Sequence, residues 1–321
     1  MSQATMLEKL THESERPAPI PNPATALEAL AWATRTATQS PELLSSPPAR
    51  PTPEQWRAVR IETLREYLDQ LLLGRFTQEG LDALYMTGAL DVWLPEVASM
   101  VGFGDGEWRH KDVWRHTKQV VWQSVPRLEV RWGALLHDIG KPKTRSIEPN
   151  GEVHFFGHSE VGAAMFRKRV AKRLGFTGEL YERIHFLILY HLRASQYDGS
   201  WTDSAVRRFG REMGDGLIDL LDLSRADITT KRPERKKRGL RQISELSSRI
   251  QKLEHEASKL PPLSKGIGTA MMQHFGLAPS RRIGELKTLL ETEIAEERLE
   301  ARREDAYYLA WLDERKQELG L

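Results

Sequence analysis

Residues 131–146 read "RWGALLHDIGKPKTRS": an apolar helical run ends in His137-Asp138 and is followed by Gly140, Lys141 and Pro142. An imidazole nitrogen and a carboxylate oxygen side by side are donors suited to a divalent transition metal such as Mn, Fe, Co, Ni or Zn, with Mg also admissible for the oxygens. The pair has companions. His116 precedes it on an earlier helical segment, His158 opens a later one, His191 ends the next apolar one, and Asp227 ends "LLDLSRAD". A carboxylate has two oxygens, so Asp138 can bridge two ions, and paired ions can clamp a phosphoryl oxygen and activate water at neutral pH. Singly, each residue has a plainer reading. A lone histidine on an apolar helix is more often a satisfied core residue, and Asp227 alone could pair with Arg225. His110, His154 and His185 lie close in sequence and invite the same over-reading. The joint pattern is what points to a metal.

The elements that must position these residues read as helices almost throughout from about residue 52. Thr52 is placed as an N-cap with Pro53 at the first helical position. Trp56, Val59, Leu64, Leu68 and Leu71 follow at loose helical spacing. "TQEGLDALYMTGALDVWLPEVASM" reads as two short helices around Thr87-Gly88, and "GFGDGE" (102–107) as a loop. Each candidate metal ligand then falls on one of a series of short helices punctuated by Gly, Pro or Asp. The one strand signal is "SIEPNGEVHFF", two extended pieces about Pro149-Asn150-Gly151, where Asn-Gly favours a hairpin turn. A longer helix should follow residue 231, because Ile243, Leu246, Ile250, Leu253, Ala257 and Leu260 recur at heptad spacing.

Composition bounds the class. The chain has 321 residues, 40% hydrophobic, with no cysteine, so disulfides and thiolate ligands are excluded and any metal site must use His, Asp and Glu. It holds no apolar run long enough to span a bilayer and no secretory signal, which predicts a cytoplasmic protein with no membrane partner. A net charge of +2 is too small to imply nucleic acid by itself, but "KRPERKKRGLR" (231–241) concentrates seven basic groups against one acidic. That run could attract phosphates or simply be a solvated helix start. Nine of the 17 prolines lie in the first 53 residues. We therefore expect an all-α fold in four parts: a disordered Pro-rich tail or linker (1–53) with at most a short docked helix over 24–34, a helical flank (54–104), a central domain (105–230) and a C-terminal helical domain (231–321).

With His116, His137-Asp138 and Asp227 in this order, the chain resembles the HD-domain metal-dependent phosphohydrolases, an all-helical superfamily that hydrolyses phosphoesters, usually of nucleotides. His158 and His191 resemble the added ligands of its two-metal members. "DVWRHT", "LLHDIGKPKT", "VHFFGHSEVGA", "WTDSAVRRFGREMG" and "LSRADI" are similar, more closely, to the HD-type body of bacterial tRNA nucleotidyltransferases, the CCA-adding enzymes. The flanks, "RIETLREYLDQLL…LDALYMTGALDVWLPEV" and "MMQHFGLAPSRRIGELKTLLETEIAEERL", resemble that family's helical segments on either side, the second being where the family contacts tRNA. Those enzymes carry a polymerase head with an Asp-x-Asp metal pair. This chain has no Asp-x-Asp, and 53 residues are too few for such a head, so nucleotide addition is not expected.

The resemblance implies a metal-dependent phosphohydrolase acting on nucleotide or RNA-end phosphoesters, of the 2′,3′-cyclic phosphodiesterase, 2′-nucleotidase or phosphatase type. His116, His137, Asp138 and Asp227 would hold one metal; His158 and His191 would complete a second site bridged by Asp138. Lys141, within the matched motif, would neutralise a phosphate oxygen, with Arg145 a weaker candidate for the same role. Gly140 and Pro142 are expected to shape the turn, and Gly162 to allow either close helix approach or plain packing. Partners would be a nucleotide or an RNA with a phosphorylated or cyclic-phosphate end, and possible tRNA-like RNA. Two rivals share the residues: an RNA-binding accessory module with a relic HD site, against which the intact set of six argues, and a nucleoside triphosphate phosphohydrolase.

Overall fold

The computed structural model describes residues 22–103, 112–259 and 261–321. The chain forms two compact units, the first running to Ser248 and the second covering Arg249–Leu321. Helices dominate both, as the periodicity predicts. Among the described residues no helix is long and apolar enough to cross a membrane.

The first unit is built around the helix Leu128–Leu136. Val130 through Leu136 are all buried, so this helix has no polar face, the pattern of an element enclosed on all sides. The helices Val113–Gln123, Gly178–Tyr190 and Leu217–Asp227 pack around it. A methyl at Gly133 would fall 3.0 Å from Cβ of Leu187, so the glycine sets how closely the Gly178–Tyr190 helix approaches. The Trp132 indole donates to Asp69 Oδ1 at 2.7 Å and ties in the helix Ile61–Leu72. The predicted hairpin is present: Ser146–Ile147 pairs antiparallel with Val153–His154, and Gly151 takes the left-handed φ (+80°) of the turn.

The short docked helix expected over 24–34 is present and longer, and with it residues 22–53 depart from the tail expected over 1–53. A helix runs Ala24–Thr38 and buries Ala26, Ala29, Leu30, Trp32, Ala33 and Ala37 against Ile61–Leu72 and Thr77–Met86. Small residues let the helices approach closely, and the nine prolines that suggested a linker flank the helix, four before Ala24 and five after Thr38, so none interrupts it. Residues 1–21 lie outside the described residues. Thr52 caps Pro53–Arg57 in a reciprocal box with Gln55, as predicted. The helix then breaks and restarts at Ile61, which accounts for the loose spacing between Val59 and Leu64. Most of the loop expected at 102–107 and His110 lie outside the described residues, as does Leu260 of the heptad series.

The predicted long helix is Pro233–Lys259, with Ile243, Leu246, Ile250 and Leu253 buried. The second unit has a core of its own, in which Ile267, Met271, Leu286, Leu290, Tyr308 and Leu312 cluster. The Tyr308 hydroxyl inside it donates to the Glu300 carbonyl at 2.8 Å.

Candidate metal centre

Helix ends deliver the six residues singled out above. Asp112 caps Val113–Gln123 by accepting from the backbone N–H groups of Trp114 and Arg115, and His116 follows one turn in. His137 is the C-cap of Leu128–Leu136, with Asp138 next. Gly157 takes a left-handed φ (+72°), and His158 starts the helix His158–Met165. His191 caps Gly178–Tyr190, and Asp227 is the last residue of Leu217–Asp227.

The structure brings all six together. Asp138 sits in the middle, buried, and its two oxygens face different neighbours. Oδ2 is 3.2 Å from Nε2 of His137 and 3.5 Å from Nε2 of His116. Oδ1 is 3.5 Å from Nε2 of His158 and 4.0 Å from Nε2 of His191. Asp227 Oδ1 lies 3.0 Å from Nε2 of His116. The donors thus form two clusters able to hold a metal, His116–His137–Asp227 and Asp138–His158–His191, with the Asp138 carboxylate between them. Among the described residues a third cluster, Glu148, Glu152 and His154, lies on the hairpin with both carboxylates exposed. His185 stays apart, stacked on Tyr181.

Ring orientation is fixed from behind. His137, His158 and His191 each donate from Nδ1 to the backbone carbonyl three residues earlier (Ala134, Phe155 and Ile188) at 2.7–2.8 Å. A carbonyl only accepts, so Nδ1 carries the proton and the Nε2 lone pair points at the centre. Nε2 of His158 and of His191 then face each other at 3.1 Å with no proton between two neutral rings. Asp138 Oδ1 beside them is buried without a hydrogen-bond donor. Two lone pairs and an orphaned carboxylate oxygen converging in a buried space are a donor set that fits a cation.

Electrostatics agree. Burial, with His137 nearby, pushes the His191 pKa down to about 4, and burial lowers that of His158, so both rings are neutral at pH 7. For His137 burial works the other way from the carboxylates of Asp138 and Asp227, which win and raise its pKa. Burial opposes ionisation of Asp138, but His137 and Lys141 overcome it and hold the carboxyl ionised. Desolvation likewise opposes charge on Asp227, and the hydrogen bond from His116 outweighs it.

A cavity of about 800 Å³ opens over the centre, lined by His116, His158, Asp227 and Lys141 together with apolar side chains. The Lys141 ammonium donates to Asp138 Oδ2 at 2.6 Å. Arg145 is exposed, with its guanidinium 5.8 Å from the Phe103 ring centroid. Gly140 does more than turn the chain. A methyl there would meet the His158 carbonyl and the Gly162 backbone nitrogen, so Gly140 and Gly162 are the two sides of a close backbone approach. Sequence reasoning missed Thr229. Its buried hydroxyl hydrogen-bonds His116 Nδ1 at 2.9 Å, and nothing in its sequence context marks it beyond lying two residues after Asp227.

Residues 111–232 match the HD domain family. The chain is 35% identical over 260 residues to the CC-adding tRNA nucleotidyltransferase of Thermus thermophilus, covering 78% of this chain and 56% of that protein. It is 31% identical over 262 residues to the A-adding tRNA nucleotidyltransferase of Deinococcus radiodurans, covering 79% and 59%. The chain thus spans somewhat over half the length of these curated relatives. The helical architecture, the His-Asp pair at a buried helix end and the family match agree: this chain carries an HD domain, and its kinship is with the HD-type body of the tRNA nucleotidyltransferases.

Proposed function

We propose that this chain is a divalent-metal-dependent phosphohydrolase acting on nucleotide or RNA-end phosphoesters, of the 2′,3′-cyclic phosphodiesterase or phosphatase type. The observation that carries the reading is the split of the Asp138 carboxylate between two clusters of inward-facing nitrogens beneath an open cavity. His116, His137, Asp227 and Asp138 Oδ2 would hold one ion; Asp138 Oδ1, His158 and His191 would hold the other. Bound there, such ions supply Lewis-acid polarisation of a phosphoryl oxygen and lower the pKa of water.

The chain's own groups do the rest. The Nδ1–H bonds to backbone carbonyls keep the imidazoles oriented, so no reorganisation accompanies the reaction. Lys141 stands at the cavity wall. Its ammonium, which donates to Asp138 Oδ2, would neutralise a phosphate oxygen as charge develops. Arg145 is a further candidate for phosphate. An RNA end as substrate is supported by the tRNA-processing names of the relatives and by the basic run 231–241, whose residues 231–238 are all exposed at the start of the long helix.

The test is the double variant His137→Ala with Asp138→Ala, assayed on 2′,3′-cyclic nucleotides with Mn, Co, Ni, Zn or Mg. Metal-dependent turnover should vanish while the helical circular dichroism persists. Turnover equal to wild type would refute the assignment. Salt-dependent RNA binding with no turnover in wild type would favour the binding-module reading.

A further inference from the structure

We propose that Phe156, stacked on His154 at the mouth of the cavity, is a base platform that takes the nucleobase of a nucleotide whose phosphate lies over the six-residue centre. The proposal rests on the phosphohydrolase reading and names the part of the substrate that reading leaves open.

Phe156 is 73% exposed, the most exposed large hydrophobic side chain described. It is not loose. Its ring lies nearly parallel to the His154 imidazole (8°) at 4.8 Å between centroids. Most of a flat apolar surface held in one orientation is open to solvent, which is what a stacking partner needs. The position is indexed to the metal centre. His158 Nδ1 donates to the Phe155 carbonyl at 2.7 Å, so the backbone next to Phe156 is tied to a residue of the centre. Two residues of chain reach at most ~7 Å, comparable to the span of one nucleotide.

The rest of the cavity fits the same occupant. Phe155, Phe156, Leu192 and Ile228 give it apolar walls, while its charged and imidazole groups are those of the centre plus Lys141 and His154. Its volume of about 800 Å³ falls within the range of small-molecule sites. A phosphoester without a base would leave these walls in water. Aromatic stacking tolerates every base, since each has a π-face, so the platform selects for a nucleoside and hardly among nucleosides.

The test measures binding as well as turnover. The full chain is titrated by calorimetry with adenosine 3′-monophosphate and with ribose 5-phosphate. Wild type should prefer the nucleotide by roughly five-fold to a hundred-fold, the range expected for one stacked base. Phe156→Ala should bring that ratio close to one, and Phe156→Trp should keep it. A short oligoribonucleotide with a 3′-phosphate, run beside the mononucleotide, assigns the source of the base. Dependence on Phe156 in both probes indicates an RNA end, and dependence in the mononucleotide alone indicates a free nucleotide. Equal binding of nucleotide and sugar phosphate by wild type, or a ratio unmoved by Phe156→Ala, overturns the platform. So does a sedimentation shift on Phe156→Ala with the ratio unchanged, which would mean that a second copy covers the ring. The phosphohydrolase reading fails separately, if no phosphoester is turned over whatever the ratio. His154→Ala, which removes only the supporting ring, gives a second variant should Phe156→Ala misfold.

Discussion

Gly140→Ala tests whether the two clusters of donors must be held at one spacing. A methyl on Gly140 would stand 2.8 Å from Gly162 N and 2.9 Å from the His158 carbonyl carbon, and nearer still to that carbonyl's oxygen. Comfortable contact between such atoms is about 3.5 Å or more, so the neighbours must retreat by roughly 1 Å. They are backbone atoms of the helix His158–Met165 and cannot rotate aside as a side-chain tip would. Overpacking of this kind typically costs ~1–3 kcal/mol of stability. The functional cost is larger. His158 is carried on the displaced backbone, and its Nε2 starts 3.5 Å from Asp138 Oδ1. A shift of ~1 Å there dismantles the second cluster and costs on the order of a hundred-fold in rate. Elemental analysis should find the metal content of Gly140→Ala lower than wild type by one ion per chain, with a fall in melting temperature and a turnover loss that excess metal restores only in part. Unchanged stoichiometry with unchanged turnover would refute the claim that this backbone contact sets the geometry of the centre.

Thr229→Val removes the hydroxyl behind His116 and should weaken metal binding ~10–100-fold, as loss of such an outer hydrogen bond typically does, measured by competition with a chromogenic chelator. In EDTA, stability should fall as pH drops from about 6.5 to about 4. The unfolded chain protonates His191 near 6.5 and the folded chain only near 4, so acid favours the unfolded state. The ceiling for that one group is ~3 kcal/mol, partly offset by the raised His137. Urea melts at pH 7 and pH 4.5 decide it, and equal midpoints would contradict the burial argument. Away from the centre, Arg173 makes a two-pronged ion pair with the buried Glu96, both bonds at 2.8 Å, and donates to the Trp93 carbonyl. Arg173→Ala strands that carboxylate and should cost ~3–5 kcal/mol by chemical denaturation, with Arg173→Lys recovering only part.

What the sequence makes legible is the part governed by local chemistry. Imidazoles and carboxylates at the ends of apolar segments stand out because water-loving groups are rare there, and all six converge in the structure. Helix periodicity, the Thr52 cap and the Asn-Gly hairpin are likewise local. Thr229 is not, since its hydroxyl gains its role only when Leu217–Asp227 is folded against Val113–Gln123. Gly140 and Gly162 look like turn and packing residues until the two backbones meet. The Ala24–Thr38 helix is legible only in part, as the short piece expected over 24–34, for a different reason. Proline counted over a window dominates the composition, while burial depends on the face that Trp32 and its small neighbours present. Phe156 has no periodic context at all, and only its exposure marks it.

The bonds from Nδ1 to the carbonyl three residues back carry a kinetic consequence. An unrestrained histidine samples both tautomers and both ring flips, and a metal arriving at the wrong one must wait. Here a flip of His137, His158 or His191 would break a bond to the backbone. The rings therefore wait in the capturing orientation. Metal uptake should proceed in a single phase limited by diffusion and dehydration of the ion, and metal exchange by departure of the ion alone.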